Sequence, residues 1–174
     1  LFRSASDQRI KNAREAIERL LVVNETEAYC QPCVSPVWDT SLVAHALLET
    51  GDADARERAR AACEWLAPLQ ILDVKGDWAA QRPDVRPGGW AFQYANAYYP
   101  DVDDTAVVAS AMDRLTSSEN AQPYDERISR AREWVIGLQS KNGGWGAFDA
   151  DNTYHYLNHI PFADHGALLD PPTT

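Results

Sequence analysis

The chain has 174 residues, 45% of them hydrophobic and 24% charged, with a formal net charge of −10 and a pI near 4.7, which suits one globular core and not obviously two. No Lys/Arg cluster offers a phosphate-neutralising surface, so nucleic acid is excluded as a partner, and there is no polybasic membrane patch. No apolar run approaches the roughly 18 residues of a spanning helix and no charged-then-apolar leader is seen, so the segment reads as soluble.

In chain order, the first predicted element is a helix from about Asp7 to Val22, expected as an outer member of a layered helical fold. Cys30 and Cys33 follow as a C-x-x-C. With Cys63 the cysteines number three, a poor disulfide framework that suits a reducing compartment. The pair lacks the second ligand pair of a structural zinc site and precedes a proline-broken stretch instead of opening a helix, so the cysteines are read as small buried hydrophobes.

A repeat comes next. Trp38-Asp39-Thr40 with the apolar run Leu42 to Leu48 falls onto Asp103-Asp104-Thr105 with the run Ala106 to Met112, Asp39 and Asp104 being 65 residues apart. Ala62-Cys63-Glu64-Trp65-Leu66 with Leu69-Gln70 falls onto Ala131-Arg132-Glu133-Trp134-Val135 with Leu138-Gln139, 69 residues on. Each copy then reads as closing on Gly-x-Trp, at Gly76 to Trp78 and at Gly143 to Trp145. The unit is a helix, a variable loop, a second helix and a glycine turn carrying tryptophan.

The two helices of a unit differ in pattern. The first, capped by Asp or Thr, is almost uninterrupted in apolar residues (Leu42, Val43, Ala44, Ala46, Leu47; Ala106, Val107, Val108, Ala109, Ala111) and is expected to be buried all round. The second is amphipathic, with Ala59, Ala62, Cys63, Leu66 and Leu69 opposite Arg56, Glu57, Arg60 and Glu64, and Ile128, Ala131, Val135 and Leu138 repeat the pattern, as an outer layer requires. Alternating inner and outer helices predict an all-α fold, part of an α/α barrel or toroid, with residues 1–174 in one such domain. Gln70 with Trp78 and Gln139 with Trp145 suit a bracing role, the amide satisfying backbone groups at a helix end while the indole packs on the turn. Trp145 leads into Gly146-Ala147-Phe148-Asp149, which brings it closer to a cavity.

The chemistry lies between the copies. Asp101, Asp103 and Asp104 follow Pro100 and precede an apolar helix, so a cap and dipole-complementing acids account for one or two of them. A third carboxylate against a buried helix costs stability unless it is used or paired. Like charges this close hold at least one proton to higher pH, which keeps a carboxyl an acid at neutral pH; the helix N-terminus pulls the other way. Trp90, Phe92, Tyr94, Tyr98 and Tyr99 precede the acids on a glycine-rich stretch. A π-face stabilises a nearby cation by about 0.5 to 2 kcal/mol, and a ring-lined cavity keeps water from it. Acid beside aromatic rings suggests carbocation chemistry.

The run from Gly88 to Ala106, the segment Ser35-Pro36-Val37-Trp38-Asp39-Thr40, the Gln/Gly-x-Trp turns and the tail from Gly143-Gly144-Trp145 through Asn158-His159-Ile160-Pro161-Phe162 to Asp170-Pro171-Pro172 resemble the squalene-hopene cyclases of bacteria over nearly the whole chain. The resemblance implies that Asp103 protonates the terminal alkene of squalene, with Asp101 and Asp104 tuning and orienting it. It implies that Trp38, Phe92, Tyr99 and Phe148, with Trp145, shape the polyene and stabilise its cations, giving hopene or, by water capture, hopanol. No metal or organic cofactor is implied. The histidine that bonds the acid in that family falls beyond Thr174, and His45, His155, His159 and His165 do not match it. Members are several times longer, so a piece of a monotopic membrane-associated enzyme of the bacterial cytoplasmic membrane is expected, inactive by itself. The absence of a Met at Leu1 and the turn-forming end at Asp170 to Thr174 agree with a piece. Whether the parent is a homodimer is left open.

Two other readings are weighed. A class II diterpene cyclase also carries D-x-D-D but needs basic or magnesium-binding partners for a diphosphate, which this acidic segment does not offer; an oxidosqualene cyclase carries a Cys where Asp104 stands. A non-catalytic α/α-toroid scaffold would use the acids as caps and the rings as a groove.

Overall fold

The computed structural model describes residues 8–30, 35–117, 123–159 and 170–172. The chain divides into two compact units, Leu1–Val34 and Ser35–Thr174. In the first, helix α1 (Gln8–Leu20) leads into a hairpin of β1 (Leu21–Val23) and β2 (Ala28–Cys30), with Leu21 opposite Cys30 and Val23 opposite Ala28. The hairpin was not expected, and it ends the predicted helix two residues before Val22. Its turn is closed by Asn24, whose side chain accepts the Thr26 and Glu27 amides at 3.0 and 2.9 Å, the local competition that makes Asn a turn former. Cys30 is exposed, against the expectation of burial, because strand pairing in a two-stranded hairpin covers neither face. Cys33 lies outside the described residues.

Among its described residues the second unit holds four α-helices: α2 (Pro36–Glu49), α3 (Ala53–Leu66), α4 (Val102–Thr116) and α5 (Asp125–Gly137). Helix α2 starts earlier than the expected Asp or Thr cap. Pro36 opens it, Ser35 occupies the cap position without a side-chain bond, and Asp39 falls in the first turn, since proline is pre-set for a first helical turn. Asp52 caps α3 by accepting the Ala55 amide at 2.9 Å. Helices α2 and α4 pack side by side, α3 lies against both, and α5 lies against α4, the inner and outer assignment expected from their patterns. Ala55, Ala59, Cys63 and Leu66 of α3 and Ala131 and Trp134 of α5 are the buried stripes. Ala59, Cys63, Leu66 and Ala131 meet Val37, Ala44, Val108, Ala111, Met112 and Leu115 in one core, while Trp134 packs with Trp78, Val102 and Leu138 in a second. Cys63 is buried as expected, and burial pushes its thiol up to about 11.

The inner helices are not buried all round. Leu42 and Val43 are 43% and 55% exposed, and Asp103, Ala106 and Ser110 mark an open stripe on α4. The apolar run therefore buries where it meets the other described helices and is bare elsewhere.

The repeat is real but closes differently from the expectation. Gln70 Nε2 donates to the Gly88 carbonyl at 2.8 Å and Gln139 Nε2 to that of Gly143 at 2.7 Å. Trp90 Nε1 donates to Leu66 O and Trp145 Nε1 to Val135 O, each at 2.7 Å. Gly88-Gly89-Trp90, not Gly76 to Trp78, is therefore the counterpart of Gly143-Gly144-Trp145. Residues 71–87 are a long loop inside the first copy. Trp78, on its short 3-10 turn, instead stands edge-on to Trp134, centroids 5.9 Å apart.

Candidate active site

Two segments that the sequence separates meet at the N-terminus of α4. Trp90 forms a single antiparallel bridge with Asp101, whose amide donates to Trp90 O at 2.8 Å. The Thr105 hydroxyl donates to Asp101 O at 2.6 Å and accepts the Trp90 amide at 2.9 Å. Close approach here requires Gly89, where a Cβ would sit 2.8 Å from the Thr105 hydroxyl and 3.0 Å from the Trp134 ring. Asp101, extended at φ −114 and ψ 135, caps the helix by accepting the Asp103 amide at 2.7 Å and the Asp104 amide at 3.2 Å.

The three carboxylates part company from there. Asp101 is 8% exposed and Asp104 1%. Burial pushes the Asp101 carboxyl up to about 6 against the pull of its two amide donors, with the Asp103 and Asp170 charges adding to the rise. Burial pushes Asp104 up to about 7, and the Asp101 and Asp103 charges add to it. Asp104 Oδ1 is buried with no hydrogen-bond partner among the described residues, so its neutral form is favoured. Asp101 and Asp104 thus hold their protons to higher pH than a free Asp. Asp103, expected to be buried, is exposed, because it sits on the open stripe of α4. It lines a groove of about 520 Å³ together with Val102, Ala106, Trp145 and Asp170.

A second recess of about 410 Å³ is lined by Asp77, Trp78, Tyr98, Tyr99, Phe148 and Asp149, among others, and Asp170 borders both. Asp170 is the residue the sequence reading left out of the site. Its carboxylate accepts the amides of Ala147, Phe148 and Asp149 at 2.8, 2.6 and 2.8 Å, which folds the chain after Trp145 onto the groove. The signal was available, since Asp170 stands 69 residues after Asp101, the repeat's own offset. Asp149 is raised above the usual carboxylate range by burial first, and the Asp170 and Asp77 charges add to this while the Asn152 side chain opposes it.

Of the expected ring residues, Trp145 shares the Asp103 groove and Tyr99 and Phe148 share the recess. Trp38 and Phe92 are half-buried and border neither. His45 is half-buried between α2 and α4, with Nε2 3.0 Å from Val107 O and Nδ1 2.9 Å from the Arg114 guanidinium. His155 and His159 are exposed, and His165 lies outside the described residues.

The model of the squalene-hopene cyclase C-terminal domain matches residues 34–174. The chain belongs to the squalene-hopene cyclase family. It is 64% identical over 168 residues to the squalene-hopene cyclase of Zymomonas mobilis, covering 92% of this chain and 26% of that protein. It is 56% identical to that of the yeast Schizosaccharomyces japonicus, covering 96% and 26%, and 49% identical to that of Alicyclobacillus acidocaldarius, covering 82% and 22%. The chain therefore spans about a quarter of the length of the curated relatives it matches. Its helices are part of the family's α/α toroid-type fold. Because squalene-hopene cyclases this similar occur in a yeast as well as in bacteria, the likeness does not single out a bacterial source.

Proposed function

We propose that this chain contributes the proton-donating segment of a squalene-hopene cyclase. Residues 1–174 would then be part of one α/α-barrel domain. The observation that carries the reading is the placement of Asp103 on a groove shared with the Trp145 indole, directly beside two buried carboxyls held near 6 and 7. Squalene is the substrate that the names of the relatives support.

In this mechanism the Asp103 carboxyl O–H donates its proton to the terminal alkene carbon of squalene. The π electrons form the new C–H bond and leave a tertiary cation. Each following alkene attacks the cation before it, closing rings in turn. Trp145, Tyr99 and Phe148 offer π-faces along that path, each ring lowering the cation by about 0.5 to 2 kcal/mol. The last cation loses a proton to give hopene, or takes a water and loses a proton to give hopanol. Asp101 and Asp104 act on Asp103 by position. Asp101 holds the 103 and 104 amides, and a neutral Asp104 adds no repulsion when Asp103 becomes anionic. Membrane association on the cytoplasmic side accords with an apolar substrate that resides in lipid; no helix among the described residues is long and apolar enough to cross a membrane.

The test is Asp103→Asn in the complete protein, assayed with squalene. Conversion is expected to fall by about 10²- to 10⁴-fold, the contribution of a positioned acid, with the far-ultraviolet circular dichroism unchanged. Turnover at the parent rate by a correctly folded variant would remove the acid assignment.

A further inference from the structure

The long loop inside the first repeat copy has a counterpart of only three residues in the second, 140–142. It is not slack. Gly76 lies so close to the aromatic segment that a Cβ there would stand 1.6 Å from the Tyr98 carbonyl oxygen. Two residues later the buried Trp78 locks the 3-10 turn Asp77–Ala80 against Trp134 of α5. Asp77 is thus fixed on one side by a backbone contact and on the other by an indole pair. From this footing its Oδ2 accepts the Tyr99 hydroxyl at 3.0 Å, and both side chains lie on the wall of the 410 Å³ recess with Phe148.

We propose that Asp77 is a positioning residue, whose carboxylate takes the Tyr99 hydroxyl proton in a hydrogen bond and so sets the face that the Tyr99 ring turns to a bound polyene; this rests on the polycyclisation reading above. A phenol has one free rotation about its ring axis and another about the Cα–Cβ bond, and a hydrogen bond at the para oxygen restrains the second at the longest lever arm. The same bond draws the hydroxyl hydrogen away from the ring and towards an anion, which enriches the π-face that meets a cation. The Asp77 bond and charge hold the phenol above its ordinary range.

The experiment compares products made from squalene by the complete protein and its variants. Asp77→Leu, which removes the acceptor, is expected to raise the share of incompletely cyclised products by about threefold to tenfold, the factor that one hydrogen bond carries. Asp77→Asn, whose amide oxygen still accepts, is expected to restore the parent profile. In a Tyr99→Phe background, Asp77→Leu should add nothing. A parent-like profile for Asp77→Leu overturns the inference, and so does a Leu effect that persists without the Tyr99 hydroxyl. A parent that cyclises no squalene overturns the reading beneath it and the inference together, and is told apart by the parent assay alone.

Discussion

At the scale of single residues, the acids at the head of α4 divide by burial. An unfolded Asp titrates near 3.9, whereas folded Asp104 keeps its proton up to about 7. Between these values the folded chain binds more protons than the unfolded one, so the stabilising linkage is fully present below pH 4 and is lost as pH rises through 7. Asp104→Asn, which cannot ionise, is therefore expected to be stabilised relative to the parent at pH 8 by on the order of 1 to 4 kcal/mol, with the difference shrinking towards pH 4. Unfolding midpoints measured at both pH values check it, and pH-independent differences would contradict the assigned burial. The motif was legible in the sequence, because three carboxylates in four positions cannot all be caps, but whether repulsion or the helix N-terminus prevailed was not, since burial decides it. Which of them is exposed was not legible. Burial of position 103 depends on what covers one stripe of α4, and the apolar run at Ala106 to Met112 reads alike whether covered or bare.

At the scale of elements, the repeat shows how one motif can have two energetic weights. Gln70 is 7% exposed, and its amide serves both the Gly88 and Arg127 carbonyls at 2.8 and 3.0 Å. Gln139 is exposed and, among the described residues, its amide serves Gly143. Gln70→Leu leaves two carbonyls short of a donor in a dry setting and is expected to cost about 2 kcal/mol, whereas Gln139→Leu, replaced by water, is expected to cost below about 0.5 kcal/mol. Denaturant titration of both variants measures the contrast, and equal losses would count against it. The helices and their inner and outer order were readable from periodicity, as α3 shows with Ala59, Cys63 and Leu66. The partner of the second Gly-x-Trp was not, since Gly76 to Trp78 and Gly88 to Trp90 look alike as text. What separates them is the indole bond to Leu66 O, which needs the chain to return after a long excursion.

At the scale of the whole molecule, the second unit carries bare apolar surface on its inner helices, with Leu42 and Val43 open beside Ala46. Solvent contact of such a stripe favours association or loosened packing. Residues 35–174 produced alone are expected to bind a hydrophobic dye, to melt without a sharp transition and to leave squalene unchanged; a monomer with one cooperative melt would contradict this. One feature of the site confers freedom instead of constraint. Trp90 is held by its carbonyl to Asp101 and by its amide to Thr105, so residues 91–100 form a hoop closed at one backbone clasp, whose other footings, Gly76 and Asp77 beneath Tyr98 and Tyr99, lie on a different loop. Exchanges of ring size or polarity at Phe92, Tyr98 or Tyr99 are thereby insulated from the carboxylates. The contour of the chamber can drift during evolution, or be redrawn by design, while the source of the proton stays put.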